Sequence, residues 1–525
     1  MTKQKMIFVL AIAAAFMWTA CQSTHQPSDY REPSAFTGPK PGHKPKPVKP
    51  PFAPANGGSS ISFDFMHTKP NCQVPFPEMG EGKFHKPTYC EGTSQKQVAA
   101  DSGMEKRIVE MLDTTMKDPK NSKVFVAYFS FSNKVVQQKI CDLSAAGVSV
   151  RAFLDNGSVG TIDNIIMNNV KCLDANKKLN VKLSYLGGNT TVNSETGSAG
   201  FWQLHHNKFM YIDSGLNLVK INFSSGNLSS FGTSLHLDHW VMLEAPKTSN
   251  ITNSHICVMA GLEAADALAK KMTNDGTTEE KTTFDQRKVS NAYIDEREKC
   301  FVAKNVYPRV GGEKVSEEVE DMLKAEEIAP VFSPNNDDAV ADAFLDTIDD
   351  LKSGEYLYIA IQHFLHSEIK NAILRAAKRG VEIKIVMDDD ALRGESEVPG
   401  VDKLILDLDN RNSIDIRLAE TNHGAGGNGS MMHNKLAIIN GDMTFSGAGH
   451  YTRAALQNNW ENFYFVSNKK TISNYSTYFK WLWDNSVDVE HVQSVAKKLK
   501  TGMGEIIASS KPATLNGKFT NNVIK

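Results

Sequence analysis

The chain has 525 residues, 41% of them hydrophobic and 22% charged, with a formal net charge of −2. That length suits several domain-sized units. The near-neutral charge excludes a protein whose business is bulk electrostatic binding of nucleic acid. Beyond the N-terminus no apolar run is long enough to span a bilayer, which excludes a polytopic helical membrane protein.

In chain order, Lys3 and Lys5 precede an apolar run of 13 residues, Met6 to Trp18. This is right for a signal h-region and short for a spanning helix. Trp18-Thr19-Ala20-Cys21 resembles a bacterial lipobox. The resemblance implies a signal peptide over 1–20, lipidation of Cys21, and an exported protein anchored to a membrane of the bacterial cell envelope. Gln22 stands where an inner-membrane-retained lipoprotein carries Asp, which leans towards the outer membrane or periplasm. Residues 21–60 form a linker, with nine of the 20 prolines between Pro27 and Pro54 and a charge of +3. Such a composition is extended and semi-rigid. Without the n-region and the linker, −7 remains for the rest. Residues 61–99 read as an N-terminal extension. If Cys21 carries lipid, Cys72, Cys90, Cys141, Cys172, Cys257 and Cys300 are left, allowing up to three disulfides. No CxxC pair favours a zinc knuckle.

The strongest organisational signal is an internal repeat. Strand 124–131, helix 134–146, Gly147 and strand 148–155 recur as strand 356–364, helix 367–379, Gly380 and strand 381–388. Ala127/Ala360, Phe131/Phe364, Gly147/Gly380 and Asp155/Asp388 share an offset of 233. A strand–helix–Gly–strand unit predicts a right-handed crossover between parallel strands, with each glycine capping its helix. Each copy continues with a short strand (181–186; 414–418), a Gly/Asn/Ser-rich loop and a His-containing strand. The second closes with strand 463–467 and helix 473–483. The predicted fold is therefore α/β, in two similar halves at 100–246 and 325–487. An irregular insertion at 247–324 joins them, and a tail at 488–525 offers one more helix.

At matching places stand His206-Asn207-Lys208 and His433-Asn434-Lys435. On a strand, residues i and i+2 share a face, so each His and Lys project together and each Asn turns away. Downstream lie two small-residue turns, Ser224-Ser225-Gly226-Asn227 and Gly447-Ala448-Gly449-His450. Asp238 and Glu461 then precede aromatic-rich strands. The two segments follow, with departures, the pattern His-x-Lys-x4-Asp-x6-Gly-Ser-x-Asn, and so resemble the signature of the phospholipase D superfamily. The resemblance implies two α/β/α sandwich halves related by a pseudo-two-fold axis, with one composite site. It implies His206 as nucleophile and His433 as general acid/base. Lys208, Lys435 and Asn227 would clamp phosphate, with Ser225 and His450 beside them. Asp238 and Glu461 would orient the imidazoles, and Asp213 and Asn440 would be structural. Which carboxylate serves which histidine is left open.

The chemistry suits these residue types. A neutral imidazole can attack an anionic phosphodiester and form a phosphohistidine. A second, protonated imidazole can serve the leaving alcohol. Two ammonium groups stabilise the equatorial oxygens. The resemblance thus implies a metal-independent phosphodiesterase with no cofactor, active as a monomer because both motifs lie in one chain. The first motif has ten residues between Asp213 and Ser224 instead of six; the second has Asn440, Ala448 and His450 in place of Asp, Ser and Asn. Three readings compete: phospholipase D-type hydrolysis or headgroup transfer on phospholipid at a membrane surface; an exported endonuclease acting on nucleic acid; and a non-enzymatic phosphate-binding envelope protein with a degenerate second motif. Asp388-Asp389-Asp390 reads as a strand-end cluster rather than a metal site. His363 and His366 have metal-like spacing, but at a strand-to-helix junction neighbours alternate faces, which disfavours a metal there. His205 reads as structural.

Overall fold

The computed structural model describes residues 60–68, 103–155, 181–189, 202–275, 286–306, 315–335, 338–364, 366–388, 414–419 and 431–488. The signal segment, Cys21, the linker, Cys72, Cys90, Cys172, Asp389, Asp390 and the tail after 488 lie outside the described residues. Among the described residues, no helix is long and apolar enough to cross a membrane.

Among the described residues the first half is an eight-stranded sheet. Its central unit is β2 (Lys123–Tyr128), α2 (Lys134–Ala145) and β3 (Ser149–Asp155), preceded by α1 (Met104–Asp113). Asn133 starts α2 by accepting from the amides of Val135 and Val136. Gly147 ends it in the left-handed region, φ 104°. The buried residues Val136, Ile140 and Leu143 recur at helical spacing and pack against Val124, Val126 and Val150. The sheet continues through β4 (Val181–Asn189) and β5 (Trp202–Leu204) on one side. On the other lie β6 (Lys208–Asp213), β7 (Leu218–Ser224) and β8 (Asp238–Pro246). Strands β2, β3 and β4 are parallel, whereas β6, β7 and β8 run antiparallel to their neighbours.

The second half repeats this order. β10 (Tyr356–Ile361), β11 (Glu382–Asp388) and β12 (Ile414–Ala419) are its parallel strands. β13 (Lys435–Ile439), β14 (Met443–Gly447) and β15 (Glu461–Val466) are its antiparallel ones. Helix α6 (Ala339–Asp349) precedes β10, and α7 (Ser367–Lys378) makes the crossover, with Gly380 at φ 90° beyond its end. Strand β9 (Ile328–Ser333) closes the sheet against β15, and β16 (Val487–Asp488) pairs with β12.

Two boundaries differ from the sequence reading. Residues 61–99 were expected as an extension, yet β1 (Ser62–Thr68) pairs antiparallel with β8 over its whole length. It is the first half's counterpart of β9, so that half starts near 61. Alternation of apolar and polar residues in Ser62–Thr68 was too short to stand out beside the linker. The insertion at 247–324, expected as irregular, holds α3 (Asn250–Asp275), α4 (Gln286–Lys304) and α5 (Val315–Glu326). A disulfide between Cys257 and Cys300 ties α3 to α4.

One apolar cluster takes side chains from both sheets: Phe125, Phe209, Phe223 and Val241 with Val386, Leu436, Ile438 and Tyr464. The Phe223 and Tyr464 rings stack with centroids 3.7 Å apart. Helix α8 (Lys469–Asp484) of the second half packs its Tyr475 on Phe65 of β1, and Tyr478 stacks on His67. The aromatics of 460–483 thus serve as core and inter-half packing. The two halves share one interior, which fixes the approach of β6 to β13.

Candidate active site

Both His-Asn-Lys segments lead into their strands at the seam between the halves. Lys208 opens β6 and Lys435 opens β13. The backbone before each strand is held twice. The Asp155 carboxylate accepts the His205 amide at 2.8 Å, and the Asp388 carboxylate accepts the Met432 amide at 2.6 Å. These two aspartates, equivalent in the repeat, therefore position the residue preceding each catalytic candidate. Asp388 is buried at its strand end and is spent on this clamp.

The second hold crosses the seam. The His206 amide donates to the Trp460 carbonyl, and the Trp460 amide donates to Leu204. In the other copy the His433 amide donates to Leu237, and the Leu237 amide donates to Met431. Trp460 precedes Glu461 and Leu237 precedes Asp238, so each bridge delivers a carboxylate to the histidine of the opposite half. Glu461 Oε2 lies 2.7 Å from His206 Nδ1, and Asp238 Oδ1 lies 3.1 Å from His433 Nδ1. The open question of pairing is answered: it is crossed.

Each carboxylate is held differently. Ser225 Oγ donates to Asp238 Oδ1 at 2.7 Å, and accepts the His239 amide. The second copy has Ala448 at that position and cannot do this. Glu461 instead receives Asn459 Nδ2 on Oε1 at 3.2 Å. The departure at Ala448 is thus matched by a longer carboxylate and a different donor. Gly226 is required beside Asp238, since a Cβ there would stand 2.8 Å from Oδ2.

The lysines are fully buried. Lys208 Nζ lies 2.9 Å from His206 Nε2. The same ammonium lies 3.2 Å from Nδ1, but the Glu461 oxygen 2.7 Å from Nδ1 draws the imidazole proton there and leaves the Nε2 lone pair to the ammonium. Lys435 Nζ donates to the His433 carbonyl at 2.6 Å. Phe129 packs against the His206 ring, centroids 4.9 Å apart. His450 stands between the two candidates, its ring centroid 5.6 Å from His206 and 5.7 Å from His433. Burial and the neighbouring lysines hold the imidazoles of His206, His433 and His450 well below their usual range. Burial also pushes the Glu461 carboxyl up to about 8, against the pull of Lys208.

The remaining sequence candidates fall into place. Asn227 is half-buried in its turn, and its Oδ1 has no hydrogen-bond partner. Asn434 turns away from the lysine face and donates to Leu237 O and Tyr478 Oη. Asp213 lies at the far end of β6, accepting Gly215 N and pairing with Lys247. Asn440 and Gly441, at φ 49° and 67°, form the left-handed pair of a tight hairpin turn, where Asn serves better than Asp. His205 is buried against Trp460 and held near 3, chiefly by burial. His366 caps α7 by accepting Ile369 N, while His363 lies beside His450, so the pair does not converge. Sequence reasoning missed His236, Asn459 and the clamps at Asp155 and Asp388. The shared offset of 233 already pointed at the last two.

Residues 347–483 match the family described as cardiolipin synthase, PLD-like domain. That span holds His433, Lys435, Asn440 and Glu461 in the geometry above. Over that span the chain matches the phospholipase D superfamily. It is also 28% identical over 128 residues to a mitochondrial cardiolipin hydrolase of Chlamydomonas reinhardtii, covering 24% of this chain and 51% of that protein. The chain thus spans about half the length of this curated relative. Among solved structures, NucT from Helicobacter pylori is 23% identical, covering 31% of this chain and 98% of its own, with a TM-score of 0.28. Phosphatidylserine synthase of Haemophilus influenzae Rd KW20 is 12% identical, covering 78% and 92%, with a TM-score of 0.48.

Proposed function

We propose that the chain is a phosphodiesterase that works through a phosphohistidine on His206, with phospholipid as substrate. The observation that carries this reading is the crossed pairing: two buried imidazoles, each backed by the other half's carboxylate, flanked by two buried lysines. This arrangement suits one anionic substrate and a two-step displacement. A phosphate entering between Lys208 and Lys435 draws the Lys208 ammonium away from His206 Nε2 and frees its lone pair. Nε2 then attacks phosphorus, forming the N–P bond as the P–O bond to the leaving alcohol breaks. The anionic diester offsets the lysine charges that disfavour an imidazolium, so His433 takes up a proton with the substrate and gives it to that oxygen. Water or an acceptor alcohol next loses a proton to His433 and attacks phosphorus, and the N–P bond breaks. Glu461 keeps its proton bridge to Nδ1 throughout and offsets charge on the phosphorylated imidazole. The names of the matched family and relative, both referring to cardiolipin, support phospholipid over nucleic acid. We place the chain at an envelope membrane, held by lipid on Cys21; labelled fatty acid incorporated into the chain but not into C21S tests that.

The test of function is a side-by-side assay in EDTA of phosphatidylcholine, phosphatidylglycerol, cardiolipin, and single- and double-stranded DNA. Headgroup release or exchange without DNA cleavage is expected. DNA cleavage without lipid turnover overturns the substrate. Silence on every substrate, with no phosphoenzyme on trapping, leaves a phosphate-binding protein.

A further inference from the structure

The two copies of the site differ two residues before the carboxylate. In the second copy this position is Asn459, whose amide satisfies the outer oxygen of Glu461 at 3.2 Å. In the first copy it is His236. Its Nδ1 lies 3.8 Å from Asp238 Oδ2, too far for a hydrogen bond. Asp238 is completely buried, and Oδ2 accepts no hydrogen bond. An unsatisfied buried carboxylate oxygen is costly, so the site as it stands lacks a partner there.

We propose that His236, Asp238 and His433 bind one divalent ion of the zinc class, and that this ion switches the site off. One nitrogen or oxygen from each residue lies within 4.8 Å of the others. Ligands about 2.0–2.1 Å from a tetrahedral ion stand roughly 3.4 Å apart. Asp238 Oδ1 lies 3.1 Å from His433 Nδ1 and Asp238 Oδ2 lies 3.8 Å from His236 Nδ1, so each carboxylate oxygen faces one imidazole at close to that spacing. Imidazole nitrogen and carboxylate oxygen suit zinc, and three protein ligands leave a fourth position for water or a phosphate oxygen. His236 keeps 13% of its side chain exposed and offers the ion a way in. Binding at His433 Nδ1 moves the imidazole proton to Nε2 and breaks the Asp238 contact. The histidine can then no longer trade its proton with leaving group and water. The inhibitory part rests on the phosphodiesterase reading; the binding part does not.

The test uses the full chain, stripped with EDTA and dialysed. Titration with Co2+, read by the visible bands of a four-coordinate site, and with Zn2+ by calorimetry should each show one tight equivalent. H236N, which copies the Asn459 arrangement and restores a donor for Oδ2, should lose at least about 100-fold in affinity, since even outer-shell partners are worth 10–100-fold. Unchanged binding in H236N, or the absence of a stoichiometric site in the parent, overturns the proposal. Thermal unfolding of H236N without metal confirms that the variant is folded. If a phosphodiester is turned over, Zn2+ should inhibit the parent at the concentration that fills the site; filling without inhibition overturns the switch. A chain inactive on every diester but binding one ion through His236 retains the metal site and loses only the phosphodiesterase reading.

Discussion

The crossed pairing makes the two carboxylates separable by experiment. At pH ~9, above the value of about 8 at which it titrates, Glu461→Gln keeps the shape of the side chain and removes the charge facing His206 Nδ1 at 2.7 Å. Both groups are buried, so solvent does not screen the loss. A hydrogen bond to a charged group is worth about 1.5–3 kcal/mol net, more where a buried charge is left uncompensated. A loss of roughly 3–5 kcal/mol in the transition state slows the step about 100- to 10,000-fold. Rapid-quench kinetics with a p-nitrophenyl phosphodiester isolates this step, because that leaving group needs no acid. E461Q should suppress the burst of p-nitrophenolate and the acid-labile phosphoenzyme together. Asp238→Asn should keep the burst and slow the turnover that follows, because Asp238 orients the histidine serving leaving group and water. The opposite pattern, with D238N losing the burst and E461Q keeping it, would refute both the crossed pairing and the assignment of the nucleophile.

Further outcomes follow from the same geometry. His433→Ala should abolish turnover of alkyl diesters while phosphoenzyme still forms from the activated substrate; unchanged alkyl turnover removes His433 from the mechanism. His206 attacks only when neutral, and its imidazole is held below the usual range. In EDTA the acid limb of kcat/KM for the activated substrate should therefore fall below pH ~6.5, the unperturbed histidine value. A limb at or above that value contradicts the burial argument. Glu461 titrates near 8 when folded, above its unfolded value, so its contribution to stability is present at low pH and fades as pH rises through 8. E461Q should accordingly raise Tm at pH ~9 more than at pH ~4, where the carboxyl is already protonated. Replacing Cys257 and Cys300 together by Ala opens a loop of 43 residues and should cost about 2–4 kcal/mol in urea unfolding, by the chain-entropy model.

Much of the fold was legible because the repeat doubles each signal. One strand–helix–Gly–strand unit is ambiguous, but two at a fixed offset are not. The same doubling exposed His206, Lys208, His433 and Lys435. What stayed hidden depends on contacts across the seam. Nothing local in Trp460 or Leu237 says that their backbones bridge the halves, since that work is done by main-chain atoms common to every residue. The pairing of Asp238 with His433 was equally out of reach, as the two residues are 195 apart in the chain. Strand β1 was missed because a seven-residue segment beside a proline-rich linker carries too little periodicity to separate it from extended coil.

The departures of the second motif become intelligible once the copies are superposed by role. Ser225 supports Asp238 from the turn, whereas Ala448 offers Glu461 nothing, and Asn459 takes over from the carboxylate's own strand entrance. The second copy has an amide where the first has a hydroxyl, and its carboxylate is fully satisfied. The first carboxylate followed the other course. It has a serine in the turn and a histidine where the amide would be, which leaves one oxygen buried without a donor. Two copies facing the same substrate cannot have identical tasks, since one imidazole must attack while the other trades protons. The attacking side is closed, with every polar atom of Glu461 engaged. The proton-trading side carries the spare oxygen and the extra imidazole. Regulation by a competing cation belongs on that side, because an ion there removes the proton carrier while leaving the nucleophile and its carboxylate intact.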